Sequence, residues 1–336
     1  MSASVSIKGG AGDSSAAAKR EPRVVTVTPN PAVDTTYQVA AIVRGASHRV
    51  PGPLVHAGGK GLNVARVAHQ LGFPVLAIAP VGGIAGAEFS EELSASTVPH
   101  QLIPVAASTR RSIALVDAND GETSIFNEAG NPLTVDEWQK LAAAVVDSLS
   151  DEIHPAGVLV GSGSLPSGAP ADFYPALVAL GHNAGVPVIV DTSGPGILAA
   201  ARAGADLLKP NHHELIEAMG LEDLPSAAWE LIKLGARMVL VSAGAEGMMA
   251  FSAEHPGKYW TARLPEPLSG NPTGAGDAAV SATAVALAQG VRDPAEILRR
   301  ATSWSAAAVL MPGAGEISAR FRELEKLLIL TEKESQ

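Results

Sequence analysis

Residues 271–277 read Asn-Pro-Thr-Gly-Ala-Gly-Asp, and an apolar run, 278–290, follows at once. A glycine-rich turn that opens a helix brings free backbone N–H groups and the positive end of the helix dipole to one point. Asp277 adds a carboxylate there. Amides along Gly274, Ala275 and Gly276 can hold the oxygens of a transferring phosphoryl group, while Asp277 accepts the proton of an attacking hydroxyl. The dipole is expected to keep Asp277 ionised. The same four letters, Gly-Ala-Gly-Asp, recur at residues 10–13. Their flanks there carry no apolar period, so no helix is specified and that copy is set aside. A plain glycine turn with a capping Asp is the rival reading of residues 274–277, and the segments upstream weigh against it.

Four further segments carry polar groups suited to one site. Gly58-Gly59-Lys60-Gly61-Leu62-Asn63 precedes an amphipathic helical pattern. It is not a Walker loop, because Lys60 is followed by Gly61, but its glycines allow close backbone approach and Asn63 falls on the first helical turn. Asp34, in Asn30-Pro31-Ala32-Val33-Asp34, follows the first strand-like run and suits sugar hydroxyls. Lys209-Pro210-Asn211-His212-His213-Glu214 comes directly after another strand-like run. Asn211 and Glu214 at i,i+3 offer hard oxygen donors for Mg²⁺, with a helix capping box as the rival reading. His212 and His213 are adjacent, face different directions and complete no zinc set. Ser242, Gly244 and Gly247 form a strand-turn-strand against which a flat ligand could lie. Gly194-Pro195-Gly196 loosely matches a dinucleotide fingerprint, but it lies far from the domain start and no strand-end acid follows it.

Composition narrows the partners. The 336 residues are 46% hydrophobic, with a formal charge of −10 and no cysteine. The charge argues against nucleic acid or an anionic membrane surface, and an anionic small substrate would need local cations. Lys60 and Lys209 sit in Gly- or Pro-marked turns, and Arg110 adjoins Arg111. The lack of cysteine excludes disulfides and Cys-ligated zinc and fits a cytoplasmic protein. Residues 1–22 lack the apolar block of a secretory signal and are expected to be a disordered leader.

These groups need a scaffold. Strand-like runs at 24–28, 75–79, 157–160, 186–190, 205–208 and 238–242 alternate with helical patterns such as 62–71, 135–149, 171–183 and 211–219. The rhythm is that of an α/β domain with a mostly parallel central sheet covered on both faces. Residues 35–56 and 105–130 break it. The first has β-type residues without a helix, and the second holds a hairpin around Asn119-Asp120-Gly121. Together they predict a small β-sheet lid over the carboxyl ends of the strands.

In this order, the segments at 30–34, 57–66, 109–110, 163–166, 209–214 and 274–277 resemble the ribokinase-like PfkB family of sugar kinases, over about residues 24–328. The branch they most resemble is that of 1-phosphofructokinase, tagatose-6-phosphate kinase and the minor 6-phosphofructokinase. The resemblance implies a ribokinase-like three-layer α/β/α sandwich over residues 23–330, with a tail at 331–336. It also implies a β lid that forms a homodimer, with ATP and Mg²⁺ as cosubstrate and cofactor. It makes Asp277 the catalytic base and Gly274, Ala275 and Gly276 the anion hole. Asp34, Gly58, Gly59, Asn63 and Glu128 become sugar contacts, Lys60 and Arg110 phosphate contacts. Lys209, Asn211, Ser242, Gly244 and Gly247 fall to the nucleotide, and Asn211 with Glu214 to the metal through water. Ala278 stands where many relatives have Ser, and Ser112 and Ala114 stand where phosphofructokinase relatives often have Asn and Lys. The Lys60 loop resembles the 1-phosphofructokinase branch, so fructose 1-phosphate is the expected acceptor. Tagatose 6-phosphate and fructose 6-phosphate are the alternatives; a simple sugar or nucleoside kinase, an NAD-dependent dehydrogenase and a non-catalytic sugar sensor are more distant.

Overall fold

The computed structural model describes residues 21–119 and 122–334. In chain order the first part runs β1 (Arg23–Val27), β2 (Ala32–Val39), β3 (Leu54–Gly58), α1 (Lys60–Gln70), β4 (Val75–Val81), α2 (Gly83–Ala95), β5 (His100–Pro104), β6 (Arg110–Asp117), β7 (Thr123–Asn127) and α3 (Val135–Leu149). The middle is β8 (Ala156–Ser162), α4 (Phe173–Asn183), β9 (Val188–Asp191), α5 (Pro195–Arg202), β10 (Leu207–Leu208), α6 (His212–Met219), α7 (Leu224–Leu234) and β11 (Met238–Ser242). A 3₁₀ turn at Gly244–Glu246 leads to β12 (Met248–Ser252), β13 (Lys258–Arg263), α8 (Ala275–Ala288), α9 (Pro294–Val309), α10 (Phe321–Leu327) and β14 (Ile329–Glu334).

Ten strands form one sheet in the order β14-β13-β12-β11-β10-β9-β8-β1-β4-β5. From β11 to β5 every pairing is parallel, while β12, β13 and β14 are added antiparallel at one edge. Successive residues of the central strands serve opposite faces. Val24, Val158, Val160, Ile189 and Leu240 join a core with α1, α2, α8, α9 and α10. Val25, Leu159, Val188, Val190 and Val239 join a second core with α3, α4, α5, α6 and α7. A parallel strand covered by helices on both sides is apolar at every position, which is why these runs read as continuous hydrophobic blocks. The result is a three-layer α/β/α sandwich.

A separate four-stranded sheet has the order β3-β2-β6-β7. β2 runs antiparallel to β3 and parallel to β6, and β6 pairs with β7 from Ser112↔Asn127 to Val116↔Thr123. The two irregular segments of the sequence therefore do pair with each other. Of the expected hairpin turn, Asp120 and Gly121 lie outside the described residues, as do residues 1–20 of the expected leader.

One boundary needs correction. Residues 331–336 were expected as a tail, yet 331–334 continue β14, in register with β13 from Arg263↔Ile329 to Lys258↔Glu334. A short, charged strand is a common way to cover an open sheet edge, and its charge is what makes it read as a tail. Among the described residues no helix is long and apolar enough to cross a membrane.

Candidate active site

The glycine turn before α8 is held from both sides. Asn271 accepts from the Thr273 amide through its side-chain oxygen (3.0 Å) and donates its own amide to the Pro312 carbonyl (2.9 Å). Gly274 is the N-cap, at φ 83°, with no side-chain cap on the helix. A side chain at Gly274 would be strained by that φ and would also meet Ala314 at 2.7 Å. The Ala275 amide, first in α8, donates to the Pro272 carbonyl at 3.1 Å, while the next two, of Gly276 and Asp277, have no carbonyl one turn back and are left for a ligand. Asp277, on that first turn, is 6% exposed. Asn63 of α1 donates to its Oδ2 at 2.7 Å, and Ser281 ties the two helices through the Val64 carbonyl. Asn63 thus fixes the orientation of the Asp277 carboxylate.

Asp277 stays ionised at pH 7, as the sequence predicts, but its pKa is shifted upward rather than down. Burial pushes its pKa up to about 6 from 3.8, and the nearby Asp191 carboxylate adds to this, while Lys60, Asn63 and Lys209 oppose it. A helix N-terminus is worth a fraction of a pKa unit to one or two, less than full desolvation costs a carboxylate. The Asp277 carboxyl therefore titrates near pH 6.

Beside it lies a charged cluster that sequence reasoning did not assemble. Asp191, at the carboxyl end of β9, is 1% exposed and accepts from Ser162 Oγ at 3.1 Å. Lys60 Nζ lies 3.5 Å from its Oδ2 and Lys209 Nζ 3.6 Å from its Oδ1. Lys60 also stands 3.9 Å from Glu214. The attraction of Asp191 holds the Lys60 ammonium pKa well above its ordinary value, against the cost of its burial. The Asp191 carboxyl is itself held below its ordinary range by Lys209 and Lys60, although burial opposes them. Lys209 Nζ is 3.3 Å from where a Gly276 side chain would begin, so one lysine of this cluster adjoins the free helix terminus. Lys60 was expected with Arg110 at a sugar phosphate. Its ammonium lies 3.5 Å from Asp191 and 3.9 Å from Glu214, and it feels the charge of Asp277 as well. An acid ending the apolar run 186–190 was the available signal for Asp191, since ligands of open α/β sheets gather at strand ends.

Asp34 sits on β2, opposite His56 of β3 and Ser112 of β6. Gly58 makes its position possible: a Cβ there would come within 1.9 Å of the Asp34 carboxylate. Burial raises the Asp34 pKa to about 6, with Arg110, His56 and Arg66 pulling the other way. Arg110 donates through Nε to the Asn30 carbonyl (3.3 Å) and through Nη1 to the Glu128 carbonyl (3.4 Å). The Glu128 carboxylate accepts the Arg111 amide at 2.7 Å. At the other end, Asn211 and Glu214 form the capping box of α6, each side chain accepting the other's amide at 2.9 Å. Asn211 also bridges to Ser242 at the end of β11. His212 and His213 pack together beside them, ring centroids 3.8 Å apart.

One cleft of about 1360 Å³ joins these groups. Every expected site residue except Gly58 lines it, from Glu128 and Arg110 at the small sheet to Ser242, Gly244 and Gly247 beyond α6. Leu264, Leu268 and Val309 add an apolar wall at the latter end that the sequence reading missed, because loop residues after β13 meet the end of α9 only in the fold.

A cleft that combines a free helix terminus, a buried carboxylate and lysines at strand ends defines a small-molecule phosphotransferase. The comparison with known families is specific: residues 27–320 match the pfkB family of carbohydrate kinases, and the chain belongs to that family. It is 36% identical over 299 residues to the ATP-dependent 6-phosphofructokinase isozyme 2 of Mycobacterium tuberculosis, covering 87% of this chain and 86% of that one. It is 35% identical over 293 residues to a 1-phosphofructokinase of Xanthomonas campestris pv. campestris, covering 84% and 90%. Phosphofructokinase-2 of Escherichia coli, solved in complex with potassium, shares the fold at a TM-score of 0.83 and 29% identity, over 91% of this chain and 98% of that one.

Proposed function

We propose that the protein transfers the γ-phosphoryl group of ATP to a ketohexose phosphate, with fructose 1-phosphate giving fructose 1,6-bisphosphate as its reaction. The observation that carries this is the Asn63–Asp277 hydrogen bond at the mouth of the uncapped α8, in the same cleft as Asp34 and Arg110. Similarity to a 1-phosphofructokinase over 90% of its length supports the acceptor. The slightly higher identity to a 6-phosphofructokinase isozyme keeps fructose 6-phosphate as the second reading. Release of ADP, measured with each of these sugars, tagatose 6-phosphate and free fructose, decides between them.

In this reading Asp34 accepts sugar hydroxyls and Arg110 grips the phosphate already on the sugar. Asn63 holds Asp277 toward the acceptor hydroxyl, whose proton it takes as the O–P bond forms. The amides of Gly276 and Asp277, with Lys60 and Lys209, stabilise the charge on the moving phosphoryl oxygens. Ser242, Gly244 and Gly247 line the nucleotide end, and Leu264 and Val309 supply a face for the base.

The residues present fit Mg²⁺ held largely by phosphates and water. Glu214 gives Oε2 to the α6 cap and leaves Oε1 toward the cleft, 3.9 Å from Lys60. Among the described residues no group of three or more His, Cys, Asp or Glu could hold a metal unaided, which suits an ion that needs only one or two protein carboxylates. When bound, the ion neutralises charge on the β- and γ-phosphate oxygens. Glu214→Ala is expected to raise the Mg²⁺ concentration for half-maximal rate by about tenfold or more. Asn211→Ala, whose Oδ1 is occupied in the cap, should do so less and lose about 1 kcal/mol of stability. Unchanged Mg²⁺ dependence in both would leave a cap and nothing more.

The small sheet exposes Phe126 (59%) on the face away from Asp34, and Leu54 (64%) and Ile125 (50%) on the face that carries Asp34, apolar side chains that a second copy of the chain would cover. Sedimentation should show a dimer for the wild type and monomers for Leu54→Asp with Phe126→Asp. A monomeric wild type contradicts a dimer through this sheet.

A further inference from the structure

The small sheet is fastened to the body by one face of α2. Glu88 and Glu92, one turn apart on that helix, reach two different strands of it. Glu88 bonds Arg111 of β6 at 2.7 Å. Glu92 gathers three groups from two elements, β3 and α1. Its Oε2 accepts the Ala57 amide of β3 (2.9 Å) and Arg66 Nη2 of α1 (2.5 Å), and its Oε1 lies 3.2 Å from His56 Nδ1. Arg66 Nη2 closes the loop by donating to the Ala57 carbonyl at 3.3 Å. Both charged side chains are largely withdrawn from solvent, Arg66 14% and Glu92 22% exposed.

What this network holds is the strand paired with Asp34 at the small-sheet end of the cleft. Ala57 precedes Gly58, the position with no room for a side chain beside the Asp34 carboxylate. Arg66 lies three residues after Asn63 on α1, the helix that presents the amide to Asp277. A shift of β3 therefore moves the surface against which Asp34 is packed, and the network ties that surface to the helix carrying Asn63. We propose that Glu92 is a positioning residue for the phosphosugar, fixing the Ala57–Gly58 backbone so that Asp34 and Asn63 meet the same acceptor. The role rests on the kinase reading above. It is distinct from binding, because Glu92 does not line the cleft.

Glu92→Gln keeps an acceptor for the Ala57 amide and removes the charge that Arg66 and His56 share. The expected result is a phosphosugar KM raised about five- to tenfold, with ATP KM and kcat within about twofold of wild type. Amide exchange should quicken along β3 and its β2 partner, while α8 stays protected. Equal rises in both KM values, loss of stability with the phosphosugar KM unmoved, or unaltered exchange at β3 would overturn the role. Should Glu92→Gln fail to fold, Arg66→Lys, which cannot bridge Glu92 and the Ala57 carbonyl in the same geometry, should give the same split between the two KM values. A wild-type protein inactive on every phosphosugar overturns this and the kinase reading together. Normal wild-type turnover with unshifted variants overturns this one alone.

Discussion

Asp277→Asn is expected to lower kcat by at least about 10²-fold, with phosphosugar affinity nearly retained, the size of effect for loss of a general base. The same substitution should make the protein more stable at pH 7. The Asp277 pKa rises from 3.8 to about 6 on folding, because burial disfavours the carboxylate. A carboxyl group raised in this way binds a proton more tightly in the native state, so ionising it opposes folding. The penalty is absent below about pH 4, grows between about pH 4 and 6, and is complete above, at up to about 3 kcal/mol. Asn keeps a partner for Asn63 and carries no charge. Calorimetry at pH 4 and pH 7 should show a gain for the variant at pH 7 alone. Asp34 is also raised to about 6, so wild-type kcat/KM should fall below pH 6 more steeply than for one proton, and Asp277→Asn should leave a single-proton limb in its residual activity. Near-wild-type kcat in the variant contradicts the role.

Arg110→Ala should cost one to two decades in kcat/KM for the phosphosugar, about 1.5–3 kcal/mol for a charged hydrogen bond, and little for free fructose. Arg110 stands at the small-sheet end, near Asp34 and anchored on the Asn30 and Glu128 carbonyls, where it can meet a group on the far side of the sugar. Lys60 separates from it in this test. Its ammonium lies between Asp191 and Glu214, so Lys60→Ala should slow both sugars alike and leave Asp191 with Lys209 as its remaining cation. Steady-state kinetics of the two variants on fructose 1-phosphate and fructose compare them directly. Equal penalties from Arg110→Ala on both sugars would mean that the acceptor carries no phosphate.

The parts of this site visible in the sequence are those in which a local pattern does the work. The turn at 274–277 opens a helix by its own glycines, and the Asn211–Glu214 spacing is a capping box whatever the fold. In the structure that box forms, and Glu214 still has an oxygen for the cleft, so the cap and the ligand reading of the same residues coexist. Strand runs such as Met238–Ser242 were legible because burial on both faces leaves no polar interruption. Asp191 was not, because its meaning comes from Lys60 and Lys209, brought from distant turns to one sheet end. The raised pKa of Asp277 escaped for a similar reason: the sequence reveals the dipole, while burial by α1 and the proximity of Asp191 exist only after packing. Glu92 carries no sequence signal, because its partners on β3 and α1 meet α2 only in the packed fold.

Phosphorus NMR of the product formed from ATP and fructose 1-phosphate tests the central claim most directly. The account predicts ADP and a sugar carrying a second phosphate on its C6 hydroxyl with the wild-type protein, and no such signal over the same time with Asp277→Asn. ATP hydrolysis without a new sugar phosphate, or an undiminished product signal from the variant, would contradict it.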